Sequence, residues 1–270
     1  MRVASLIARI SVAAALAPGG SAWAGAGGVS YPISDEIQVY TDDLDARGEF
    51  GLELHINTTP SGSSTPAYPG AVPPAHGWRF TPEFSYGLGH DLEVGLYLPT
   101  TTDPQTGQWD FGGVKLRLKW LPIHAEEEGG AGWFAGVNLE LSDLNKSFSE
   151  SQYSTELRLI AGYRSDRWLL AVNPIFDWAL SKGYRGGGPE MTLALKAAYS
   201  VLPGIALGPE YYDTIGQPGN VLPANEQDRV LYLALDVDRG PLAFNFGVGR
   251  GLTPASDRWT VKAIIEVPLK

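Results

Sequence analysis

Three groups of side chains in this 270-residue sequence have the types and spacing for chemistry. Lys115, Arg117 and Lys119 place three cations at every second position, so in an extended strand they share one face. Such a ladder either lines a constriction that attracts anionic or polar solutes, or pairs with carboxylates on adjoining strands and stiffens an interior. Glu93 and Glu140 fall on the strands to either side. The second group is Glu53 with His55, again on one strand face. An imidazole beside a carboxylate is part of a hydrolytic triad, but acyl-ester hydrolysis also needs a serine that the histidine can activate. His76, His90 and His124 fall in loops or turns, and none of the four histidines has a serine within three residues. Spacing does not exclude partners from other strands, yet it offers no catalytic residue to assign. The third group is acidic: Asp35, Glu36, Asp42, Asp43 and Asp45 precede the first strand.

The sequence contains no cysteine, which excludes a cysteine nucleophile and a thiolate zinc site. No metal motif or phosphate-binding glycine loop occurs, and Gly186-Gly187-Gly188 lacks the strand-loop-helix frame such a loop requires. No cofactor is expected.

The elements that must position these groups are strands. Phe50, Leu52, Leu54 and Ile56 alternate with Glu49, Glu53, His55 and Asn57, the pattern of a sheet with one apolar and one polar face. Trp78, Phe80, Phe84 and Tyr86 alternate in the same way with Arg79, Glu83 and Ser85. A tight Gly87 to Asp91 turn then leads into Leu92, Val94, Leu96 and Leu98, completing a hairpin. The alternation continues to Trp259, Val261, Ala263, Ile265 and Val267, giving about twelve strands. Connections near 87–91, 164–167, 201–204 and 238–240 are tight. Those near 59–77, 99–108, 143–153, 181–188, 213–228 and 252–258 are longer and rich in turn residues. That asymmetry belongs to outer-membrane barrels, which have short periplasmic turns and long external loops. The stretch from Pro122 to Ala131, with three consecutive glutamates, is long for a periplasmic turn.

Tryptophan adds a further signal. Trp78, Trp120, Trp133, Trp168, Trp178 and Trp259 lie at strand ends on the apolar parity, where two interfacial girdles require amphipathic indoles. Trp109 is off parity unless Gly112-Gly113 carries a bulge.

Residues 1–24 read as a signal peptide: Arg2 and Arg9 flank a short apolar core, and Ala22-Trp23-Ala24 forms a cleavage site. Without them, 18 basic side chains face 30 acidic ones, a balance unsuited to nucleic acid. Beyond the signal no apolar run is long enough for a membrane helix. We therefore expect an all-β, antiparallel up-and-down transmembrane barrel over residues 48–270, preceded by an acidic segment, 25–47.

An apolar interior would leave a twelve-stranded barrel with a large void, whereas an apolar exterior meets lipid and closure satisfies the backbone. The polar parity then faces the lumen. It carries Glu53, His55, Arg79, Glu83, Glu93, Lys115, Arg117, Lys119, Glu140 and Arg158 as candidate pore-lining residues. Charge complementarity suggests that segment 25–47 enters the periplasmic mouth and meets the basic ladder as a plug. A disordered leader is the alternative.

Tyr86-Gly87-Leu88-Gly89, Leu92-Glu93-Val94-Gly95-Leu96 and Asp110-Phe111-Gly112-Gly113-Val114-Lys115-Leu116 with Lys119 resemble a family of proteobacterial outer-membrane barrels named for the meta-pathway of phenol degradation. The resemblance spans about residues 48–270. It implies an outer-membrane barrel that passes small, in part aromatic, molecules, and it supplies no catalytic residues. The expected partners are outer-membrane lipid, the barrel-assembly machinery and a small-molecule solute. The terminal Val267-Pro268-Leu269-Lys270 lacks the aromatic that usually guides assembly, a departure that bears on insertion and leaves architecture untouched. A passive uptake channel is the leading expectation, with a closed structural or adhesion barrel and a lipid hydrolase as rivals.

Overall fold

The computed structural model describes residues 31–32, 34–125, 131–184, 188–239 and 242–268, so the expected signal peptide lies outside the described residues. The chain forms a closed, twelve-stranded antiparallel barrel. Its strands are β1 (Phe50–Ser61), β2 (Trp78–Gly89), β3 (Leu92–Tyr97, continued by Thr100–Thr102), β4 (Trp109–Phe111, then Gly113–Ile123), β5 (Gly132–Leu144) and β6 (Tyr153–Arg164). They continue as β7 (Trp168–Ala179), β8 (Glu190–Leu202), β9 (Ile205–Gln217), β10 (Asp228–Arg239), β11 (Leu242–Gly251) and β12 (Trp259–Pro268). Each strand pairs with its sequence neighbours, and β1 closes the cylinder on β12 with Leu54 opposite Ile265.

Alternation sets the register because a one-residue slip would exchange the two faces of a strand. Leu116, Leu118, Leu139, Leu141 and Leu233 are exposed, whereas His55, Arg79, Glu83, Glu140 and Lys262 are buried. This inverts the burial pattern of a water-soluble domain. It is what a barrel with lipid outside and polar side chains inside must have. Among the described residues no helix is long and apolar enough to cross a membrane. The β2–β3 hairpin turns on His90 and Asp91, both at positive φ (56° and 64°), as a two-residue turn of primed type requires.

Two segments expected as loops are more ordered than their composition suggests. Thr100–Thr102 pairs with Trp109–Phe111 beyond Pro99, extending the β3–β4 ladder into the external connection. Likewise β9 runs on to Gln217 and folds back through Asn220–Val221. Turn residues at the tips of these extensions masked the strands that carry them. Gly112 interrupts β4 and Gly113 adopts φ 128°, which changes the strand's phase and leaves Trp109 exposed.

Candidate functional site

Segment 34–47 runs through the lumen. Near the long-loop end, Asn57 Nδ2 donates to the carbonyls of Ser34 (3.1 Å) and Asp35 (3.2 Å). Lys262 Nζ donates to Ile37 O (2.9 Å) and Arg158 to Gln38 O (3.1 Å). In mid-lumen, Asn173 accepts from Tyr40 N (2.6 Å) and donates to Tyr40 O (3.1 Å). Lys119 Nζ then reaches Asp43 O (2.5 Å), and Asp45 N donates to Glu93 (2.6 Å). At the tight-turn end the backbone passes directly over Gly87, where a Cβ would strike the carbonyls of Asp45 and Ala46. The wall thus holds the segment with side chains directed at its peptide groups, satisfying backbone that no strand neighbour satisfies, and with ion pairs such as Arg164 to Asp42.

The candidate residues form two clusters around this segment. Lys115 lies 2.8 Å from Glu140, 3.3 Å from Asp35 and 3.6 Å from Glu36, and Arg158 pairs with Glu156 at 2.8 Å. Burial alone would raise the Asp35 carboxyl, but Lys115 and Arg79 hold it below its ordinary value. On the β2–β3 side of the strand that carries Lys115, Arg117 bridges Glu83 (2.9 Å) and Glu93. It can lie across β3 because Gly95 has no side chain: a Cβ there would meet the guanidinium. His55 Nε2 is 3.0 Å from Glu83 and 3.5 Å from Glu53, while its Nδ1 has no hydrogen-bond partner. The three donor atoms lie within 4.8 Å of one another and could hold a small cation, but Arg117 already brings positive charge to Glu83. No serine bonds to His55 among the described residues, so this cluster has no activated nucleophile. Arg79, fully buried, donates to Ser147 O (3.2 Å) and stacks 3.8 Å from the Phe148 ring, drawing loop 145–152 inward.

Not all of the lumen is polar. Leu121, Phe134, Ile160 and Ile175 turn inward and form a buried cluster with Val39 and Tyr40 of the segment. Ile37 packs separately against Val230 and Tyr232. Three cations surround the Tyr40 ring, with Arg158 at 4.3 Å, Lys119 at 5.2 Å and Arg117 at 5.8 Å. Sequence reasoning missed this apolar seat, although its signal was present as large apolar residues on the polar parity of four consecutive strands, β4 to β7.

Toward the long-loop end a cavity of about 230 Å³ remains between segment and wall. Asp257, from the β11–β12 connection, lines it and accepts from Ser63 N at 2.9 Å. Burial pushes its carboxyl up to about 7.

Trp78, Trp120, Trp133, Trp168 and Trp259 are exposed at strand ends, and Trp178 is half-buried. Trp133 contacts Tyr163 (5.1 Å) and Trp168 contacts Tyr199 (4.9 Å), giving paired aromatics on the outer surface.

Fold, apolar exterior and charged lumen together define a transmembrane β-barrel of the outer-membrane class. No protein-family model matches the chain, and no curated protein matches it. Among solved structures it is similar to the COG4313 outer membrane channel from Pseudomonas putida F1. That alignment has 12% identity and a TM-score of 0.54, and covers 87% of this chain and all of the other. The KdgM porin aligns over 82% of this chain and 99% of its own, with 10% identity and a TM-score of 0.48. At these identities the likeness is one of fold.

Proposed function

We propose that the protein is an outer-membrane channel that takes up small molecules by passive diffusion, and that segment 25–47 is its displaceable plug. One observation carries this reading. The described part of the segment, residues 31–32 and 34–47, forms no strand with the wall, being held by side chains, and a cavity persists beside it. A chain held in this way can leave without opening the barrel. The sequence resemblance to barrels named for the meta-pathway of phenol degradation supports small aromatic molecules among the cargo.

The test compares full-length protein with a deletion of residues 25–47 in planar bilayers. Small or infrequent steps from the full chain, and larger, lasting steps from the deletion, support both parts of the proposal. Equal conductance removes the plug, and no conductance from either form removes the channel. The density of buried ion pairs favours a second reading, a closed structural barrel, for which neither form conducts and proteoliposomes do not swell.

A further inference from the structure

The lumenal charge is unevenly distributed around the barrel. Strand register sets Arg117, Glu140, Glu156, Asp177 and Glu190 side by side across β4 to β8. Directly opposed like charges repel unless a cation lies between them. The cations stand at one end of this arc: Lys115 serves Glu140, and Arg158 serves Glu156. The Asp177 side chain has no ion pair or hydrogen bond among the described residues, and Glu190 has no ion pair among them.

The cavity beside segment 34–47 opens onto the unbalanced end of the arc. Asp177, Asp228 and Asp257 line it, and none of them pairs with a cation among the described residues. Asp228 Oδ1 is buried without a hydrogen-bond partner. From the segment side Glu36 also faces the cavity; it is 7% exposed, and neither of its carboxylate oxygens accepts a hydrogen bond. Lys115 and Arg158 stand off from Glu36 at 3.6 Å each. Lys115 and Arg158 also line the cavity, but the carboxylates of Asp35, Glu36, Glu156, Asp177, Asp228 and Asp257 outnumber them, and the excess of negative charge suits a mobile positive charge.

The remaining lining argues against a bare metal ion. Tyr212 and Tyr232 meet edge to face at 5.5 Å and, with Ile175 and Val230, give the cavity aromatic and aliphatic walls. Aromatic faces and apolar surface beside carboxylates recognise an organic ammonium group, through cation–π attraction and burial of its carbon frame. The volume, about 230 Å³, is below the roughly 300–1,000 Å³ usual for drug-sized ligands, which sets the ligand as small.

We propose that this cavity is a binding site for a small organic ammonium ion, held between the carboxylates of Glu36, Asp177 and Asp228 and the rings of Tyr212 and Tyr232. The site deepens the uptake reading and rests on it for its role as a station on a solute path.

The test is an equilibrium measurement on refolded full-length protein in detergent, independent of conductance. Isothermal titration compares benzylammonium with benzyl alcohol, its neutral counterpart, at low ionic strength. The expected result is saturable benzylammonium binding at least about tenfold tighter than the alcohol. The double variant Asp177→Asn/Asp228→Asn, checked for retained heat-modifiable mobility, weakens benzylammonium about tenfold and leaves the alcohol unchanged. Glu36→Gln, which alters no wall residue, weakens it in the same direction. Equal affinity for the alcohol, no benzylammonium binding, or affinity unchanged in both variants overturns the site. Failure of the channel reading would appear in the bilayer recordings and leave this titration unaffected.

Discussion

Asn173 on β7 holds the peptide group of Tyr40 from both sides, accepting from its N–H at 2.6 Å and donating to its carbonyl at 3.1 Å. Both residues are buried. This is the pairing a neighbouring strand would give an extended residue, supplied here by one side-chain amide. Replacing Asn173 with Leu keeps the bulk but leaves two buried backbone groups unsatisfied, a penalty of about 1–3 kcal/mol per group. The segment, unlike the wall, can relieve that penalty by leaving. Asn173→Leu should raise the open time in planar bilayers at least several-fold while the barrel keeps its heat-modifiable mobility. An unchanged open time would mean that Tyr40 is not a point of retention.

Val39 tests the apolar seat independently of hydrogen bonding. It is buried against the cluster that contains Leu121, Phe134 and Ile160, and full burial of such a side chain is worth roughly 1.5–3 kcal/mol. A carboxylate there would replace an apolar side chain packed in that cluster. Val39→Asp should therefore expel the segment, and protease cleavage within residues 34–47 of the refolded protein should accelerate at least tenfold over the parent. Cleavage at the parental rate would show that electrostatics alone seats the segment.

Arg117 is the counter-charge for two buried carboxylates, Glu83 and Glu93. Removing one partner of a buried pair costs about 3–5 kcal/mol because the other charge is left behind. Arg117→Met should lower unfolding stability in urea by that amount. Adding Glu83→Gln should restore part of the loss, since it removes one of the abandoned charges. A single-variant loss below about 1 kcal/mol would indicate that water reaches and screens this cluster.

How much of this was legible in sequence depends on what each strand face must do. The outward face has one task, contact with lipid, so Leu116, Leu118, Leu139 and Leu141 repeat without interruption and the strands could be read directly. The inward face has several tasks, and its pattern mixes them. Lys115, Arg117 and Lys119 were recognisable as a ladder, yet their partners come from three sources: the adjoining strands, the segment's side chains and its backbone. Only the first is fixed by strand order. Leu121, Phe134 and Ile160 read as breaks in the alternation, because the residues that bury them, Val39 and Tyr40, lie more than 80 positions away. Asn173, an unremarkable polar residue in sequence, acquires its role only because Tyr40 passes in front of it. Long-range partners chosen by a threaded chain leave no periodic trace.

The aromatic girdle makes a prediction about membrane depth. Trp133 is 72% exposed and packs on Tyr163, and Trp168, just after the β6–β7 turn, packs on Tyr199. Indoles at an interface sit at headgroup level. Single-tryptophan variants retaining Trp133 or Trp168 should show fluorescence quenching by brominated lipids that is strongest when bromine lies near the glycerol end of the acyl chain. Variants quenched most strongly by bromine near the chain terminus, or not at all, would overturn this placement.

The last prediction concerns pH and the external mouth. Asp257 accepts from the Ser63 amide and anchors the β1–β2 loop to the β11–β12 connection, while burial pushes its carboxyl up to about 7. In the unfolded chain the same group titrates near 3.9. The native state therefore binds the proton more tightly than the unfolded state does. The associated stability is fully present below about pH 4 and is lost as pH rises through 7. Asp257→Asn mimics the protonated form and removes this dependence. Measured as urea stability relative to the parent, the variant should gain as pH is raised from 4 to 8, by on the order of 1–3 kcal/mol, and should level off above that range. The comparison cancels contributions from other carboxylates, because both proteins share them. A difference that stays flat, or one that moves in favour of the parent as pH rises, would show that Asp257 is ionised and satisfied in the native barrel.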